Sequence, residues 1–120
     1  MGLVKVTAKV GKTPADFREI EFMVDTGSFY TIVPPQMFAE LAIEVRHRVR
    51  VVTADNRERI IELGSAEIEI QDRTAAIFVG RMPVPAPLLG VSALEALGFK
   101  VNPVNESLEP TRPFPQIPVL

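Results

Sequence analysis

Apolar and polar residues alternate with a period of two along much of this chain, and that period restricts the fold more than any other feature. In LVKVTAKV, residues 3–10, Val4, Val6, Ala8 and Val10 are separated by Lys5, Thr7 and Lys9. Such a segment buries one face of a strand and wets the other. The pattern returns in Glu19-Ile20-Glu21-Phe22, in Val49-Arg50-Val51-Val52 and in Ala66-Glu67-Ile68-Glu69-Ile70. Residues 11–15 read as the turn between the first two strands. A second turn falls at Ala54-Asp55-Asn56-Arg57, because Asp and Asn tolerate tight-turn dihedrals and bond to their own backbone. Residues 51–61 therefore form a hairpin with a polar tip. A third turn, Gln71-Asp72-Arg73, joins two further strands.

Two short helices interrupt this pattern. Residues 35–42 form one, with Pro35 near the first helical position, where its missing N–H costs little. The other follows Ser92, which with Glu95 makes an S-x-x-E capping box, and Gly98 stands where a left-handed C-cap belongs. Beyond residue 104 the chain turns Pro-rich, with Pro110, Pro113, Pro115 and Pro118. Such a segment cannot donate a full ladder of hydrogen bonds and is expected as an edge, a wrap or a disordered end. The expected organisation is one domain over residues 1–104 and a tail over 105–120, in a mostly β fold closed on itself as an antiparallel barrel.

Composition narrows the function. A net charge of −2 gives no electrostatic reason to expect nucleic acid or an anionic membrane as partner. Without Cys and with a single His, zinc or copper would lack nitrogen and sulfur ligands, so no metal or other cofactor is expected. His47 lies in a basic run and reads as part of a solvated strand face. No span of 18 apolar residues is present, and the first ten residues lack the uninterrupted apolar core of a signal peptide, so the expected location is the cytoplasm.

Against that background one acid stands out. In FMVDTGSFYTIVP, residues 22–34, Asp25 sits between two apolar segments and is followed at once by Thr26 and Gly27. Gly27 permits a tight turn, and the Thr26 hydroxyl can pin it. A strand-ending turn would account for these three residues. So would a rigidly held carboxylate with chemical work to do. Two such acids face to face cannot both ionise, so one stays protonated while the other is anionic. A water between them can lose its proton to the anion as it attacks a carbonyl whose oxygen the acid polarises. Ser28 is a poor nucleophile candidate, since no Gly-x-Ser-x-Gly elbow surrounds it.

The stretch resembles the active-site segment of retroviral-type (retropepsin-like) single-domain aspartic proteases of clan AA. There an apolar-apolar-Asp-Thr-Gly-Ser segment carries the catalytic acid, and an apolar-apolar-Gly segment precedes a helix later in the chain. Here the second signature is Leu88-Leu89-Gly90, with a hairpin between the two in the position of the family's flap. The resemblance implies a homodimeric aspartic endopeptidase in which Asp25 of each chain activates the water. Thr26 would brace the two loops across the axis, and Gly27 would meet the substrate backbone. Ser28, Thr53, Ala54, Asp55 and Asn56 would contact an extended peptide or unfolded protein, while Leu88, Leu89 and Gly90 support the site. The hairpin lacks the Gly-rich tip common in retroviral flaps. Asp16, Asp55 and Asp72 do not sit at strand ends of this kind, so the second acid must come from a second copy of the chain. The alternative is a protease-like dimer that binds peptides or proteins without cleaving them.

Overall fold

The computed structural model describes residues 4–115. Nine strands and two helices follow one another as β1 (Lys5–Gly11), β2 (Arg18–Val24), β3 (Thr31–Val33), α1 (Pro35–Glu40), β4 (His47–Val52), β5 (Glu58–Ile70), β6 (Arg73–Arg81), β7 (Leu88–Leu89), α2 (Val91–Leu97), β8 (Phe99–Asn102) and β9 (Ser107–Pro110). The period-two segments become strands with one face inward. In β1, Ala8 and Val10 are buried while Lys5, Thr7 and Lys9 are exposed. Antiparallel pairing places Ala8 opposite Ile20 and Val6 opposite Phe22. Between β5 and β6, Gln71 and Asp72 both take positive φ, 51° and 64°. Two left-handed residues twist a two-residue turn with the hand that the flanking strands require.

Seven strands form one sheet in the order β1-β2-β7-β3-β6-β5-β4, and β1 also pairs with β5. That extra pairing, Val10 opposite Ile68, bends the sheet into a ring with β4 outside it. The result is ring-like rather than a regular barrel, and it departs from a purely antiparallel pattern. β7 runs parallel to β2 and antiparallel to β3, and β3 runs parallel to β6. The reason is topological: a strand placed between β2 and β3 must be parallel to one of them when those two run in opposite directions. Phe22, Ile68, Val79, Leu89, Phe38 and Leu97 fill the interior with almost no exposure. Each contributes roughly 1.5–3 kcal/mol relative to an exposed position. Among the described residues no helix is long and apolar enough to cross a membrane.

Helix α2 corrects one expectation. Its N-cap is Gly90, and no side chain caps it. Ser92 therefore lies inside the first turn rather than at the cap, and its hydroxyl donates to the Phe29 carbonyl instead. At the other end the expectation holds, with Gly98 at φ 77° and its N–H on the Glu95 carbonyl at 3.2 Å.

The chain after β8 folds back. β9 pairs with β8, and its Leu108 is buried with the main core. Arg73, at the start of β6, fastens this segment: its guanidinium donates to the carbonyls of Leu97 at 3.0 Å, Gly98 at 3.1 Å and Arg112 at 2.9 Å. The same group lies 4.9 Å from the Phe99 ring centroid and 5.4 Å from that of Phe114. Arg112 in turn donates to Glu95 and Ala96 at the negative end of α2. Residues 107–114 thus lie as a strap against their own domain. The last part of the tail, including Ile117, Val119 and Leu120, lies outside the described residues. Arg73→Ala should lower the unfolding free energy by about 1.5–3 kcal/mol, the range for hydrogen bonds to a charged group. Denaturant unfolding measures that loss, and amide exchange over residues 108–114 should rise with it. Arg73→Lys should recover little, because an ammonium lacks the planar fork that reaches three carbonyls.

Candidate active site

Insertion of β7 between β2 and β3 dictates where Asp25 goes. Residues 25–30 must carry the chain from the end of β2 across the end of β7 to the start of β3, and the acid is the first residue of that crossing. Its N–H donates to the Leu89 carbonyl at 3.0 Å, so the acid is seated on β7. The loop then closes on itself. The Gly27 N–H donates to Asp25 Oδ1 at 3.0 Å, orienting the carboxylate. The Ser28 N–H bonds to the Asp25 carbonyl at 3.1 Å, and the Ser28 hydroxyl to the Tyr30 carbonyl at 2.7 Å. Ser28 is thereby a brace for the turn.

The far side of the loop is held by the start of α2. The Val91 N–H donates to the Ser28 carbonyl at 2.8 Å and the Ser92 N–H to the Phe29 carbonyl at 3.0 Å. Gly90 donates to the hydroxyl of Thr31, which is fully buried, at 3.1 Å. A Cβ on Gly90 would stand 2.4 Å from both C and O of Tyr30. Only glycine lets these two backbones lie so close. Gly90 thus packs closely against residues 29 and 30 of the loop that carries Asp25.

Above the loop opens a cleft of about 570 Å³. Asp25, Gly27 and Ser28 form its floor, and Val51, Val52, Thr53 and Ala54 at the end of the β4–β5 hairpin face them across it. Ile32, Ile61, Met82, Val84 and Leu88 contribute an apolar wall, and Arg50 is the one cation among the lining residues. Residues 15–96, more than half of the chain, match the family model described as "gag-polyprotein putative aspartyl protease". The matched span takes in Asp25-Thr26-Gly27, the hairpin and Leu88-Leu89-Gly90. The chain belongs to this aspartyl protease family. A search among curated proteins returned no significant match. Membership in the family supports a peptidase function.

Within this aspartyl protease domain the residues singled out from sequence fall into three places. Asp25, Gly27, Ser28, Thr53, Ala54 and Leu88 line the cleft. Thr26 is exposed beside it, while Leu89 and Gly90 are buried under the loop. Asp55 and Asn56 occupy the hairpin tip and are not among the lining residues. Met82 and Val84 were not anticipated from sequence. The signal available was Met82-Pro83-Val84-Pro85-Ala86-Pro87, where alternate prolines force an extended run without period-two polarity, ending at Leu88. His47 is exposed, as a solvated strand face requires, and its ring meets Phe78 edge-on.

A polar turn closes the hairpin tip. The Thr53 N–H donates to the Arg57 carbonyl at 2.9 Å, the Asn56 N–H to the Thr53 carbonyl at 2.8 Å, and Asn56 takes a positive φ of 60°. The Thr53 hydroxyl also donates to the Asp55 carboxylate. This bond, with the Arg57 N–H and the charge of Arg59, holds the Asp55 carboxyl below its ordinary value of 3.8, against a smaller opposing effect of desolvation. Because the folded-state value is the lower one, the carboxylate's contribution to the turn is complete above about pH 4. It is lost as the pH falls through the depressed value. Protection of the Thr53 and Asn56 amides, the slowing of their exchange relative to the intrinsic rate at the same pH, should therefore hold down to about pH 4 and fall only in stronger acid. In Asp55→Ala that acid-induced fall should vanish, leaving protection uniformly lower.

Proposed function

We propose that the protein is a homodimeric aspartic endopeptidase in which Asp25 of each chain contributes one carboxylate to the reacting centre. The observation that carries this reading is the seat of Asp25. It is fixed by β7 and by the Gly27 N–H on the floor of a cleft large enough for an extended peptide.

In the reaction, one Asp25 carboxylate accepts a proton from water as the water oxygen adds to the peptide carbonyl carbon. The partner's Asp25, protonated, donates to the carbonyl oxygen. The tetrahedral intermediate then collapses: the C–N bond breaks as the nitrogen takes the proton of the Asp25 that had received it from water, and a hydroxyl of the intermediate gives its proton to the other Asp25. The amine and the new carboxylic acid leave with one proton on the dyad again. The hairpin end, residues 51–54, covers the substrate and lends backbone groups in the manner of strand addition. The apolar wall receives side chains flanking the cleaved bond.

Purified protein incubated with an unfolded protein from acidic to neutral pH should yield discrete fragments. A statine-type transition-state mimic should stop this, since its hydroxyl occupies the place of the attacking water. Tight binding of the mimic with no cleavage of any unfolded protein or peptide library would replace the protease reading with the peptide-binding one.

A further inference from the structure

The crossing loop ends in an aromatic residue that the domain itself leaves largely uncovered. Phe29 is 59% exposed and borders the cleft four residues after Asp25. A lone exposed phenylalanine needs no explanation. This one is held in place. Its carbonyl accepts from the Ser92 N–H at 3.0 Å and from the Ser92 hydroxyl, and its ring meets Tyr30 edge-on with centroids 5.0 Å apart. With its backbone pinned and its ring set against Tyr30, Phe29 loses less freedom on contact than a side chain on a loose loop would, which is the property of an interface anchor.

A second copy of the chain is the occupant that the site calls for, because among the described residues Asp25 is the one carboxylate lining the cleft and a dyad needs another. Resting on the dimeric reading above, a two-fold axis beside Asp25 brings residues 26–29 of both chains together. Thr26 and Gly27 are exposed there but offer little apolar area. Residues 107–114 are bonded to α2 and β6 of their own domain through Arg73 and Arg112. Phe29 on the floor and Val52, 69% exposed at the hairpin end, are the large apolar side chains left uncovered around the cleft mouth. We propose that Phe29 is the apolar anchor of the homodimer, packing against a second copy of this chain across the axis beside Asp25. Symmetry uses each such contact twice.

Sedimentation velocity over a range of concentrations, with peptide cleavage measured on the same samples, tests this for the parent, Phe29→Ala and Phe29→Leu. Phe29→Ala should raise the dimer dissociation constant by about 30-fold or more, the hot-spot range, while Phe29→Leu should raise it far less. Thermal unfolding of Phe29→Ala should match that of the parent at concentrations where sedimentation shows both to be monomers, since the ring is exposed in the isolated chain. Cleavage by Phe29→Ala should recover as the chain concentration is raised. A dissociation constant within threefold of the parent would overturn the proposal. So would a raised KM that does not change with chain concentration, which would make Phe29 a wall for the substrate. A parent chain that stays monomeric at every concentration, even with a peptide inhibitor bound, would instead overturn the dimeric reading itself.

Discussion

Asp25→Asn should abolish peptide cleavage, with kcat falling about 1,000-fold or more, while the domain folds as before. Asparagine keeps the shape of the side chain and can still accept the Gly27 N–H that orients it. What it cannot do is take a proton from water, and general acid–base catalysis at one such group accounts for about 10²–10⁴ in rate. Loss of both carboxylates in a symmetric dimer places the effect toward the upper end. The same change removes the repulsion between two close acids, so the dimer should form at least as tightly as in the parent. Steady-state kinetics beside sedimentation separates the two effects. A variant whose turnover stays within tenfold of the parent would show that Asp25 is not the catalyst.

Gly90→Ala should have the largest effect on folding, a loss of about 3 kcal/mol at the upper end of the overpacking range. The new methyl would stand 2.4 Å from the Tyr30 carbonyl carbon and oxygen and 2.7 Å from the Phe29 carbonyl oxygen. These are backbone atoms, so no side chain can rotate away to make room. Relief requires β7 to move away from residues 29–30, which loosens the bonds from Gly90, Val91 and Ser92 that hold the crossing loop. Activity should therefore fall further than stability alone explains, because an acid displaced by an ångström no longer meets its partner. Chemical unfolding and kcat measured below the unfolding transition provide the two readouts. A Gly90→Ala protein as stable and active as the parent would mean that the close approach is not what glycine is there for.

Val10, Phe22 and Ile68 show why much of the fold is legible in the sequence. Each belongs to a segment of strict alternation, and the pleat of a strand converts that alternation directly into an inner and an outer face. Asp72 and Gly98 are legible for a similar reason, since positive φ is a local property that few residues tolerate. Ser92 shows the limit. Its spacing from Glu95 fits a capping box, yet its hydroxyl serves the Phe29 carbonyl, 63 positions away in sequence. A local pattern cannot report that the helix will start at Gly90, two residues earlier, where β7 is held against residues 28–31.

The same division runs through the site. From sequence alone come the acid after an apolar strand, the tight turn behind it, the Leu88-Leu89-Gly90 segment and a hairpin between them, because each depends on the conformations that a few adjacent residues allow. Tertiary structure decided that β7 lies between β2 and β3, that Gly90 rests on the backbone of Tyr30, and that Met82 and Val84 wall the cleft beneath the hairpin. These are encounters between residues such as Gly90 and Thr31, 59 positions apart. They follow from how the whole sheet closes, through β1 against β5, and closure is a property of the summed twist and packing of all its strands rather than of any one segment.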